Sequence, residues 1–409
     1  MSVNGLVIGL DLCDSYTQVV CSGNEKIWTF PTVICKKKEE GGWQIGRDVY
    51  LEKLSDGGMV ASGFLRYAWN KDLDAVKEFG YTGQELLQRF LKQVISQVKN
   101  EAKTERIIQL VVTLPEVNGR IMDSLLYCAD YLDVPRNRFH VISYSESFLY
   151  YILSQKKEIW TNQVALFDFS KAGLRYYEMR MQRGGRQAMV TADCQLIENG
   201  LTLELLDTFS GIRQADRMLY VCGERVLSKK LFSAILLTGK GFEKIDWASG
   251  FMKLIGKRRK VYAESNLYVK GAALKAADFV AEKTAFPYVM ICEGRLKATV
   301  SMEVLHDERL TQLVVAASGD SWYEAKSIME FILDQQNELV LQVQPADEKG
   351  VKQIRIPLEG FPSRPNRTTR IRVRAGFSDE KTMVIAIQDK GFGELFPASD
   401  AIIRKEIDI

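Results

Sequence analysis

Apolar positions along this chain form short buried runs, and one arrangement of them occurs twice. In Gly5–Ser22, GLVIGLDLCDSYTQVVCS, an apolar run ends at a single acid, Asp11, turns over about four residues and returns as a second run. Gln163–Met181, QVALFDFSKAGLRYYEMRM, has the same layout with Asp168 in the place of Asp11. Runs of this length bounded by turn residues read as buried strands. The pattern therefore predicts two strand–Asp–turn–strand hairpins and two similar halves facing each other. A cleft between such halves would bring two carboxylates and two turns together, a plan suited to gripping a metal–phosphate group.

The rest of the first half alternates strand and helix patterns. WTFPTVICKKK carries Pro31 among β-branched neighbours and reads as an edge-type strand. A polar turn and a short strand follow in KKKEEGGWQIG, and residues 52–81 show no clear period. Thr82 and Glu85 have capping-box spacing, and Leu86, Leu87, Phe90, Leu91, Val94, Ile95 and Val98 form one helical stripe. Ile107–Leu114 is a buried strand stopped by Pro115; a helix is expected over 118–132, a strand over Phe139–Ile142 and a helix over 145–155 with Glu146 in its first turn. That order predicts a parallel sheet with covering helices.

After the second hairpin the pattern predicts strand over 187–196 and helix over about 200–229. Ser233–Thr238 is a buried strand ending in Gly239-Lys240-Gly241, where a helix is expected to start; Val261-Tyr262 is a brief strand. Asn266–Lys283 is a long helix in which Gly271, Ala272, Ala273, Ala276 and Ala277 allow close packing. From Phe286-Pro287 to about 392 the chain reads as seven alternating strands punctuated by Gly, Pro, Asn and Asp. The expected domains are 1–158 and 159–285, two related halves, and 286–409, a β-sandwich.

Composition removes several function classes. The 55 basic and 52 acidic residues leave a net charge of +3, which gives no global case for nucleic acid or a membrane surface. Two histidines, His140 and His306, argue against a histidine metal site or a Ser-His-Asp triad. Seven cysteines without a CxxC pair read as reduced core residues of a cytoplasmic protein. No apolar run reaches the roughly 18–20 residues that span a bilayer, and the N-terminus enters a strand pattern without a signal-like segment.

With the elements in this order, the chain resembles the actin-like ATPase superfamily, and within it the seventy-kilodalton heat-shock chaperones. IGLDLCDSYTQVV resembles their first phosphate motif and VALFDFSKAGLRYYEM their second. VVTLPEV and VISYSESFLYYIL resemble the connecting segments, with Glu146 at the position of the connecting-helix acid. ILLTGKGF and NLYVKGAALKA are similar to the adenosine motif and the helix behind it, and IPLEGFPSRPNRTTRIRVRAGFSDEKTMVIAIQDKGFGELFP to late strands of the peptide-binding β-domain. The resemblance covers nearly the whole chain and points to a short, lidless bacterial subfamily. It implies an α/β actin-like (ribonuclease H-like, duplicated) ATPase fold followed by an all-β sandwich. It also implies Mg-ATP as cofactor, with Asp11 and Asp168 holding Mg²⁺ through water and serving with Glu146 in catalysis. Ser15, Lys171, Gly173, Gly239 and Lys240 fall at its nucleotide-contacting positions.

The turns depart from that pattern. Cys13 stands where the family has glycine, Asp14 precedes the hydroxyl of Ser15, and Ser170-Lys171-Ala172-Gly173 replaces a glycine run. Arg175 falls near the family's second acid, and Asp168 lies close in sequence to Gly239, so the adenine-closing subdomain is expected to be largely missing. Glycine turns let backbone N–H groups approach phosphate oxygens. Side chains at Cys13, Asp14, Ser170, Lys171 and Ala172 obstruct that approach, and Asp14 adds a repulsion of roughly 1–4 kcal/mol at about 4 Å. Lys171 acts the other way by offering a cation. The expectation is therefore a chaperone-like protein or peptide partner on a degenerate ATPase scaffold, with weak or absent nucleotide binding. The alternatives are an active ATP-hydrolysing chaperone and a filament-forming scaffold.

Three other features have plain readings. Lys257, Arg258, Arg259 and Lys260 form a basic run suited to a solvated loop, and Arg370, Arg372 and Arg374 share one face of a strand, where an acidic partner or solvent would meet them. Val300, Met302 and Val304 alternate on a strand as sandwich core, or as the lining of a peptide groove.

Overall fold

The computed structural model describes residues 5–409 except 38–41, 47–48, 50–57, 74–76, 183–187, 198–199, 258, 336 and 347–349. Arg258 of the basic run thus lies outside the described residues. The chain forms two compact units, Met1–Tyr288 and Val289–Ile409. The two expected halves fold together within the first. Among the described residues, no helix is long and apolar enough to cross a membrane.

The first unit opens with the meander β1 (Leu6–Leu12), β2 (Tyr16–Cys21) and β3 (Ile27–Pro31). A small antiparallel sheet follows, made of β4 (Val33–Lys37), β5 (Trp43–Ile45) and β6 (Gly58–Ser62). The short helix α1 (Phe64–Trp69) leads to the two-residue strands β7 (Lys77–Glu78) and β8 (Tyr81–Thr82). Helix α2 (Gly83–Ala102) begins at the expected capping box: the Thr82 side chain accepts from Glu85 N–H, and the Glu85 carboxylate accepts from Thr82 N–H at 2.8 Å. All seven residues of its stripe are buried. Strand β9 (Ile107–Leu114), helix α3 (Gly119–Tyr131), strand β10 (Phe139–Ser143) and helix α4 (Tyr144–Leu153) complete this half.

The second half repeats the plan. Strands β11 (Gln163–Ser170), β12 (Gly173–Gln182) and β13 (Met189–Ile197) form its meander. Helix α5 (Phe209–Leu227), strand β14 (Phe232–Thr238), helix α6 (Ser249–Ile255), strand β15 (Lys260–Ala263) and helix α7 (Leu267–Val280) follow. The helix expected at Gly239-Lys240-Gly241 is absent. Lys240–Phe242 makes a single 3₁₀ turn, and α6 begins only at Ser249. Gly239 has φ 89°, carries no capping side chain and is followed by a second glycine, so nothing there starts a helix.

The duplication is visible in the pairing. The sheets run β10-β9-β1-β2-β3 and β15-β14-β11-β12-β13, with β3 at an edge as Pro31 requires. Asp11 lies beside Thr113 on β9, and Asp168 beside Thr238 on β14. The register slips by one residue at matching places, between Leu6 and Val7 and between Gln163 and Val164. Helices cross between the halves. Val269 and Ala273 of α7 pack with Val20, while Ala272 and Ala276 pack with Val7, Val111 and Ile142. Phe148 of α4 meets Tyr177 of β12 with ring centroids 6.2 Å apart. Small residues permit this closeness: a Cβ on Gly271 would lie 2.1 Å from the Ser147 carbonyl oxygen, and one on Gly9 would lie 2.3 Å from the Ala273 nitrogen.

Among the described residues the second unit opens with the short strand β16 (Val289–Ile291) and continues as a β-sandwich of eight strands: β17 (Ala298–His306), β18 (Arg309–Ala316), β19 (Ser327–Ile332), β20 (Glu338–Pro345), β21 (Lys352–Pro357), β22 (Arg370–Phe377), β23 (Thr382–Gly391) and β24 (Ile402–Asp408). Its sheets, β18-β17-β20-β21 and β19-β22-β23-β24, share one core that includes Val300, Leu341, Val373 and Ile385. Val300 and Met302 are buried in that core and Val304 packs against it, so these residues line no open groove. β19 and β24 are additional to the seven expected strands. In β19, SIMEFI, apolar residues occupy both faces, which erases the period of two.

Candidate functional site

Asp11 and Asp168 sit at matched places near the ends of β1 and β11, and both are buried, at 1% and 3% exposure. Each carboxylate accepts a hydrogen bond from a tyrosine. Tyr144 Oη donates to Asp11 Oδ1 at 2.7 Å, and Tyr268 Oη donates to Asp168 Oδ2 at 2.9 Å. The two tyrosine rings stack face to face, with centroids 3.6 Å apart and planes 10° from parallel. The result is a buried row: carboxyl, phenol, phenol, carboxyl. Its two phenols come from equivalent places, since Tyr144 opens α4 after β10 and Tyr268 lies in the first turn of α7 after β15.

The electrostatics follow from burial. Desolvation pushes the Asp11 carboxyl up to about 7; the Tyr144 hydrogen bond opposes the shift and the charge of Asp168 adds to it. Desolvation pushes Asp168 up to about 6 against its bond from Tyr268 and the nearby Arg175 charge. The Tyr144 and Tyr268 hydroxyls are pushed up too, by burial and then by their acids, so they stay protonated and donate. Gly239 completes the pocket around Asp168: its φ of 89° suits glycine, and a Cβ there would lie 2.5 Å from Asp168 Oδ1.

The turns lie at the hairpin ends. Cys13 N–H donates to the Tyr16 carbonyl, and Thr32 Oγ1 donates to the Cys13 carbonyl at 2.6 Å, so the first turn is closed on itself. Ser170 pairs with Gly173 across the two-residue turn Lys171-Ala172, and Gly173, which opens β12, takes φ 98°. Asp14, Ser15, Lys171 and Ala172 are exposed. Burial raises the Asp14 pKa, and the charges of Lys171 and Arg66 oppose that shift. Lys171 thus answers the carboxylate of the opposite turn.

The structure brings Asp11 and Asp168 together through the tyrosines and sets Gly239 against Asp168. Ser15, Lys171 and Lys240 are exposed, outside the buried row. Glu146 is buried on α4, two residues beyond Tyr144, and helix positions two apart do not share a face. Mg²⁺ held through water needs ionised acids and room for several waters. Here the acids are desolvated, their pKa values are raised, and stacked rings lie between them. The residues present do not fit a water-held Mg²⁺. Sequence reasoning missed Tyr144 and Tyr268; aligning the two halves beyond their hairpins would have marked them, because each follows the last strand of its half.

Comparison with known families gives two matches. The description "Family of unknown function (DUF5716) C-terminal" matches residues 15–293, more than half of the chain. "Domain of unknown function (DUF8552)" matches residues 295–409. The two meet close to the border between the compact units. No curated protein matches.

Proposed function

The chain belongs to the DUF5716 C-terminal family of unknown function, and from its geometry we propose that it works as a nucleotide-independent protein-interaction scaffold. In this reading the first unit is a duplicated fold of the actin-like type whose cleft has become a structural lock, and the sandwich presents the surface that meets a protein partner. The observation that carries it is the Tyr144–Tyr268 stack between the two acids.

The physical argument is one of competition for space and charge. A triphosphate with Mg²⁺ would have to separate two stacked rings, break two buried hydrogen bonds and ionise both acids in a desolvated site. Aromatic pairing contributes about 0.5–1.5 kcal/mol beyond burial, and each hydrogen bond about 0.5–1.5 kcal/mol. Backbone amides that would repay these losses are obstructed by side chains in both turns. Phosphate release from Mg-ATP by the full chain tests the reading. We expect no release above buffer and no change in Asp168→Ala. Turnover that disappears in Asp168→Ala would overturn it.

A further inference from the structure

The outer face of the β19-β22-β23-β24 sheet combines exposed aliphatic side chains with a positive balance, since Arg370, Arg372, Arg374, Lys390 and Arg404 outnumber the outward acids Glu330, Glu406 and Asp408. Met329, Ile371, Val373, Ile385 and Ile387 face the sandwich core. The alternate positions face outward. Register places Ile328 beside Arg374, Arg374 beside Ala386, and Ala386 beside Arg404 in one row. The next row is Glu330, Arg372, Gln388 and Ile402. Ile328 is 70% exposed, Ile332 52% and Ile402 47%. Arg372 and Arg370 pair with Glu330 at 2.7 and 3.7 Å. Among the described residues, Arg374 and Arg404 have no ion-pair partner. Two strand spacings separate them, about 10 Å.

We propose that this face docks an acidic polypeptide segment, whose carboxylates meet Arg374 and Arg404 and whose apolar side chains cover Ile328, Ile332 and Ile402. Charge complementarity selects an acidic occupant, and the guanidinium fork suits carboxylates. The aliphatic setting selects polypeptide over nucleic acid: the outward positions of these four strands carry no aromatic ring on which bases would stack. The inference rests on the interaction reading above and names the partner's chemistry; the buried tyrosines take no part in it.

Fluorescence anisotropy with the full chain tests it, using a labelled peptide of alternating Glu and Leu, its Lys-for-Glu counterpart and a single-stranded DNA oligonucleotide. The glutamate peptide should bind, the lysine peptide should not, and salt should weaken the complex. Affinity should fall by about tenfold or more, about 1.4 kcal/mol, in Arg374→Glu/Arg404→Glu. It should also fall in Ile328→Ser/Ile332→Ser, which keeps both arginines. Absence of glutamate-peptide binding, unchanged affinity in both variants, or tighter binding of the oligonucleotide would overturn the proposal. Nucleotide turnover overturns the scaffold reading separately and leaves this face untouched.

Discussion

Tyr144 and Tyr268 stack with their ring centroids 3.6 Å apart, and each hydroxyl donates a hydrogen bond to the acid near the end of the first strand of its own half. The tyrosines thus convert a pair of carboxylates at equivalent places in the two sheets into one continuous buried row. Because α4 and α7 also pack across the halves, the row ties together the elements that would have to separate for a cleft to open.

Removing one hydroxyl while keeping the ring isolates the hydrogen bond. Tyr144→Phe leaves Asp11 buried without its donor and should cost about 1–3 kcal/mol in urea unfolding; Tyr268→Phe should do the same to Asp168. A double-mutant cycle with Leu at both positions should show coupling of about 0.5–1.5 kcal/mol. Additive losses would mean that the stack holds nothing.

The acids also predict a direction with pH. Asp11 and Asp168 have folded values of about 7 and about 6, above their ordinary 3.8. The folded chain therefore binds these protons more tightly than the unfolded chain. Their contribution is fully present below pH 3.8 and is lost as pH rises through about 6 and 7. Thermal unfolding of the first unit should shift downward between about pH 5 and pH 8, and Asp11→Asn with Asp168→Asn should flatten that dependence.

The second unit should respond in the opposite sense. Asp389 is fully buried, accepts two 2.7 Å bonds from Arg364 and also bonds to Ser399. Burial pushes its pKa up, but the Arg364 guanidinium and the N–H groups of Gly391 and Ser399 outweigh it and hold the carboxyl well below its usual range. Its contribution is present above pH 3.8 and is lost as pH falls through the lower folded value. Asp389→Ala strands Arg364 and should cost about 3–5 kcal/mol. Hydrogen exchange should accelerate in 289–409 while the core of the first unit stays protected.

Close helix packing gives a further expectation. Gly271→Ala would set a Cβ 2.1 Å from the Ser147 carbonyl oxygen, a backbone atom that cannot swing aside. It should destabilise the first unit by about 1–3 kcal/mol. Gly23→Ala has open space around its Cβ but a φ of 80°, so its cost should come from backbone strain alone and be smaller.

Local patterns made much of the fold legible. The hairpins around Asp11 and Asp168, the Thr82–Glu85 cap and the α2 stripe are set by residues near one another in sequence. The paired tyrosines were hidden because their contact joins two distant helix starts, where a tyrosine reads as ordinary core. The turn after β14 failed for a local reason, since a glycine at positive φ directs the chain away from a helix. β19 and β24 were obscured differently: sandwich edges with exposed isoleucines lose the alternation that marks a strand.

The central claim is that the tyrosine row occupies the place a nucleotide's phosphates would need. Isothermal titration of Mg-ATP into the full chain tests it most directly. No binding heat should appear up to about 1 mM, a concentration that would reveal any affinity beyond about −4 kcal/mol. Saturable binding that is lost in Asp11→Ala would contradict it.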